Sequence, residues 1–97
     1  MTFSKSRVDD SRSRVREMLN AALGVYIKAE PKQRDQWRDQ SFNGVWAHLL
    51  HEVEEVKRSG SVERKLHNLL DLCGQAAICA AHIQLYSEDV ELSLDKR

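Results

Sequence analysis

Three features of these 97 residues predict an all-α fold, a small helical bundle built on one long antiparallel helix hairpin. Apolar residues recur at the i, i+3, i+4 spacing of a helical face over several long stretches. One proline, four glycines, 41% apolar and 31% charged residues are the balance of a soluble, strongly helical chain. The link Ser59-Gly60-Ser61 is so short that the helices on either side must run antiparallel. A chain of this length makes one small domain with a modest core, whose stability is expected to lean on a partner subunit.

Residues 1–10 are polar and read as a flexible N-terminus, residues 11–86 as the single helical domain and residues 87–97 as a C-terminal tail. Val15, Met18, Leu19, Ala22, Leu23 and Tyr26 mark one face of a first helix that runs to about Lys28. Pro31 suits the first turn of a short segment through Trp37, because a helix start leaves that amide hydrogen unused. Ser41, Asn43 and Gly44 mark a break. Val45, Trp46, Leu49, Leu50, Val53 and Val56 then give an amphipathic helix beginning near Gly44, with Trp46 expected in the core. Ser61 as cap and Glu63 in the first turn predict a last helix from about Val62 to Tyr86.

That last helix is apolar nearly all round. Leu66, Leu69, Leu70, Cys73, Ala76, Ala77 and Ala80 form one face, and Leu72, Ile78 and Cys79 add others. Such a helix must be covered on more than one side, so a homodimer or larger homo-oligomer is expected. Asn68, Asp71, Gln75 and His82 wind into one narrow polar stripe, which needs partners of its own.

Fifteen basic and fifteen acidic residues cancel, so the whole-chain field favours neither nucleic acid nor an anionic membrane. The longest uncharged run, Leu72 to Ala81, is too short to span a bilayer, and the N-terminus does not read as a signal peptide; the expected compartment is the cytoplasm. The run Lys5, Arg7, Arg12, Arg14 and Arg16 is interrupted by Asp9 and Asp10, with Glu17 following, and no helix-turn-helix pattern accompanies it, which argues against nucleic acid as a partner. Cys73 and Cys79 point to nearly opposite sides of one helix, so they read as free, buried thiols.

The chemistry lies in the acids. Glu52 and Glu55 stand one turn apart on the third segment, and counting outward from Gly60 places Asp71 within about one turn of Glu52 across the hairpin. Facing helices that present carboxylates are a way for bundles to hold a divalent ion. Oxygen ligands favour Mg2+ or Mn2+, ions that keep several waters and bridge to substrate phosphates. Glu-Val-Glu-Glu followed by Lys57 and Arg58 is also how a solvated helix end reads; Glu54, on the far side of the wheel, fits that description best. His48 falls in the acidic row and His51 outside it, whereas His67 and His82 border the polar stripe as hydrogen-bonded structural residues.

Glu52-Val53-Glu54-Glu55, followed by Asn68-Leu69-Leu70-Asp71, resembles the paired Glu-x-x-Glu and Glu-x-x-Asp motifs of the MazG-like all-α nucleoside triphosphate pyrophosphohydrolases. Gln36-Trp37-Arg38-Asp39-Gln40 is similar to the Trp-x-x-Gln segment upstream, and the likeness covers roughly Gln33 to His82. Asn68 departs from the motif, which has glutamate there. The resemblance implies cleavage of a ribo- or deoxyribonucleoside triphosphate to monophosphate and pyrophosphate. Glu52, Glu55 and Asp71 would be metal ligands, with Glu52 and Glu55 catalytic and Asn68 offering a carbonyl oxygen. Trp37, His48 and Gln75 are the candidate nucleotide-binding residues. The alternative is a non-catalytic MazG-like relative, a helical regulatory module acting through protein–protein contacts.

Overall fold

The computed structural model describes residues 5–28 and 36–87. Helix α1 spans Lys5–Lys28, a 3₁₀ turn spans Gln36–Asp39, α2 spans Phe42–Lys57 and α3 spans Val62–Tyr86. Among the described residues there is no strand, and no helix is long and apolar enough to cross a membrane. The tail beyond Ser87 and the segment from Pro31 lie outside the described residues, apart from the 3₁₀ turn that carries Trp37.

Helix α1 ends at Lys28 as the pattern predicts, but it begins at Lys5, inside the stretch expected to be flexible. An Asp10–Arg14 ion pair at 3.1 Å and the Ser11 hydroxyl donating to the Arg7 carbonyl support its first turns. Helix α2 begins at Phe42 rather than near Gly44. Ser41 is its N-cap and accepts the Gly44 amide at 3.3 Å, so the polar residues read as a break are a cap and first turn. Ser61 caps α3 in the same way, accepting from the Arg64 amide at 3.1 Å, and α3 ends at Tyr86 as expected.

The α2–α3 hairpin forms with an orientation of α3 that apolar counting did not foresee. Its polar stripe is the face turned toward α2. Gln75, Cys79 and His82 are its buried residues, while Leu66 and Leu69 are exposed along with Ala76, Ala77 and Ala80. On α2, Val45 is fully buried, and Trp46, expected in the core, is 44% exposed and stacks on Phe42 instead. The reason is polar. Asn68, Gln75 and His82 recur every seventh residue, a spacing that drifts by only about 20° around a helix. Each donates to a backbone carbonyl opposite: Asn68 to Glu55 at 3.2 Å, Gln75 to Val45 at 3.0 Å and His82 to Gln40 at 2.8 Å. Satisfying these three buried or half-buried groups requires that face to meet α2, because a polar group left unpaired inside costs more than an exposed leucine.

Three elements converge at the far end of the hairpin. His82 sits among Trp37, Phe42 and Tyr86, with the Tyr86 ring centroid 4.8 Å away, and the Tyr86 hydroxyl donates to the Arg38 carbonyl. These contacts seat the 3₁₀ turn on the C-terminal half of α3. Helix α1 packs along α3 on the other side, where Ala22 is buried and Tyr26 accepts from the Trp37 indole Nε1 at 3.2 Å.

Candidate functional site

A cleft of about 390 Å³ opens where α1, the 3₁₀ turn, α2 and α3 meet. Trp37, His48, Glu52, Asp71 and Gln75 line it, together with Tyr26, Gln36 and Gln40. Five residues singled out from the sequence thus share one hollow. The others do not enter it: Glu55 and Asn68 are absent from its lining.

Glu52 reaches the cleft because α2 turns Val45, Leu49, Glu52 and Val56 toward its neighbour, leaving its side chain 17% exposed. His48, one turn earlier, donates Nε2 to Glu52 Oε1 at 3.1 Å and fixes that carboxylate in the wall. Glu55 lies one helical step round the outside, 45% exposed, with His51 Nε2 3.4 Å away. Glu54 pairs with Lys57 at 3.3 Å on the solvent side, where the wheel put it.

Asn68 has a different task. Its amide donates to Ser59 Oγ at 2.9 Å as well as to the Glu55 carbonyl, and Ser59 Oγ donates to that same carbonyl at 2.9 Å. The side chain closes the hairpin link. A carboxylate in its place could make neither donation.

Asp71 is the exception within the polar stripe. Asn68, Gln75 and His82 are each tied to a backbone carbonyl, whereas Asp71, half-buried between them, has no hydrogen bond or ion pair among the described residues. It lines this cleft and also a more open hollow beside Arg64, His67 and Asn68. Glu52 and Asp71 therefore bring two carboxylates to one cleft from facing helices.

Compared with known proteins, the chain matches no family model, no curated protein and no solved structure. Its chemistry must be read from this geometry. Among the described residues, no group of three or more histidine, cysteine, aspartate and glutamate side chains is placed to hold a metal ion. That donor set does not make an all-protein cage. Glu52 and Asp71 are the two carboxylates that line the cleft, and carboxylate oxygens are the donor type that Mg2+ takes, one or two at a time, with waters completing its coordination.

Sequence reasoning missed Tyr26, Gln36 and Gln40 as cleft residues. Gln36 and Gln40 stand one and three residues from Trp37, so their placement could have been inferred once Trp37 was singled out. Tyr26 could not, since its position on the apolar face of α1 marks it only as core. Both cysteines are free, as expected; Cys79 is buried with Sγ 3.5 Å from the Val45 carbonyl, and burial pushes its thiol pKa up, while Cys73 is half-buried.

Proposed function

We propose that the cleft binds a nucleoside triphosphate with Mg2+ or Mn2+ and hydrolyses it to monophosphate and pyrophosphate, as the resemblance to MazG-like pyrophosphohydrolases implies. The observation that carries this reading is that Asp71, with no hydrogen bond or ion pair among the described residues, lines a cleft that Glu52 and Trp37 also line. Glu52 and Asp71 are the residues that would hold the ion. Bound there, a divalent ion neutralises phosphate charge and polarises a phosphoryl oxygen. The chain supplies the rest. Trp37, fixed by its bond to Tyr26, offers a ring face for stacking, and His48 keeps the Glu52 carboxylate turned into the cleft. In this reading Glu52 would accept the proton of a water that attacks the α-phosphorus as the bond to the bridging oxygen breaks. Glu55 and Asn68, outside the cleft, serve the helix surface and the hairpin link in this reading.

A second reading is a non-catalytic helical module that works by binding protein. The exposed row Val15, Leu19, Leu23 and Ile27 on α1, each at least 55% exposed, favours it and is also what a second copy of the chain would cover in a homodimer or larger assembly. The experiment is pyrophosphate release from a panel of ribo- and deoxyribonucleoside triphosphates, with Mg2+, Mn2+ or chelator, for wild type, Glu52→Gln and Asp71→Asn. Metal-dependent release that both substitutions abolish supports the hydrolase. Folded protein that releases none from any nucleotide leaves the binding module as the better account.

A further inference from the structure

Gln75 is only 6% exposed, yet it lines the cleft. Resting on the reading of that cleft as a nucleotide site, we infer that Gln75 reads the base: its side-chain carbonyl selects a nucleobase bearing an exocyclic amine, adenine or cytosine, over one with a keto oxygen in that place.

The orientation of the amide follows from its partner. A backbone carbonyl can only accept, so the Val45 oxygen, 3.0 Å away, fixes Nε2 as the end that faces α2. Oε1 is then the opposite corner of a planar group whose plane is already set. Among the described residues no buried side-chain nitrogen or oxygen lacks a hydrogen-bond partner, and the hydrogen bond of Gln75 is the one from Nε2. Oε1 is therefore in touch with solvent, and the hollow that Gln75 lines is the cleft. Turning the amide over would set Oε1 against the Val45 carbonyl, acceptor against acceptor. The cleft thus presents a fixed acceptor that cannot exchange for a donor, and a ligand atom that is itself an acceptor meets repulsion there.

The position suits a base. Gln75 follows Asp71 by one turn of α3, about 6 Å along the axis, which leaves room for a sugar between phosphates held at Glu52 and Asp71 and a ring beside Trp37.

The test uses matched pairs that differ at the exocyclic group: the non-hydrolysable α,β-methylene triphosphates of adenosine and inosine, and of cytidine and uridine. Calorimetric titration of the full chain with Mg2+ is expected to show the amine-bearing member of each pair bound about tenfold tighter. Gln75→Met, checked for fold by circular dichroism, should bring both ratios close to one while binding persists. Equal or inverted affinities in wild type, or ratios unchanged in Gln75→Met, overturn the base-reading role and leave the nucleotide site standing. Absence of binding by all four compounds overturns both. The wild-type comparison does not depend on the variant folding.

Discussion

Helix α3 meets its two neighbours in contrasting ways. Toward α2 and the 3₁₀ turn it is held by directional bonds from Asn68, Gln75 and His82, around the fully buried Val45. Toward α1 it is met by the buried Ala22, with an apolar groove of about 290 Å³ left between residues such as Leu19, Leu23, Cys73 and Ile78. One side specifies a unique register, because hydrogen bonds fail when shifted. The other offers non-directional surface, suited to whatever covers it. The lesson is that the polar face builds the hairpin and much apolar surface of α1 and α3 stays exposed.

The sharpest way to break that contrast is a charge on each side. Val45→Asp places an unpaired carboxylate at a fully buried position, and its cost of several kcal/mol takes most of the roughly 5–15 kcal/mol that stabilises a typical domain. Far-UV circular dichroism at 25 °C should show lost helix. The paired substitution Leu19→Asp with Leu23→Asp, at positions 56% and 55% exposed, should instead retain helix content, and on the proposal that this face meets a second copy it should give monomer in light scattering after gel filtration where wild type gives an oligomer. If the two outcomes exchange places, α1 rather than the hairpin organises the fold.

Smaller changes sharpen the same point. Asn68→Ala removes the donor to Glu55 and Ser59 and should lower stability by about 1 kcal/mol in urea titration. If Asn68 acted as a metal ligand, Asn68→Glu would strengthen metal binding. We expect the melting temperature to fall and metal affinity to stay unchanged, because a carboxylate cannot donate to the Glu55 carbonyl. The smallest effect concerns the thiols: burial raises the Cys79 pKa, so a disulfide reagent at pH 8 should modify Cys73 first, as comparison of Cys73→Ser with Cys79→Ser will show.

Much of this architecture was legible in the residues. The cap at Ser61 and the acid Glu63 in the first turn located α3, and the short link required the hairpin, since both signals are local. The facing of α3 was not, because apolar periodicity counts surface to bury and is blind to the carbonyls that Asn68 and Gln75 find on α2 and that His82 finds at Gln40, just before it. Trp46 illustrates the same limit on α2: it fits the apolar stripe, but Val45 is the residue fully buried there, and its carbonyl takes the bonds from Gln75 and Cys79. The meeting of Glu52 and Asp71 in one cleft followed from counting along the hairpin. The commitment of Asn68 to the link did not, because its bonds depend on the path of the chain through Ser59.

The seven-residue recurrence of donors along α3 acts as a ruler for the chain. A residue inserted into the link at Gly60 leaves all the marks in phase with one another. One inserted between Asn68 and His82 turns every later donor about 100° away from its carbonyl. Length changes in this protein should therefore cost less at the turn, where only the Asn68 bonds are at stake, than along α3 between Asn68 and His82, even where its surface is exposed alanine.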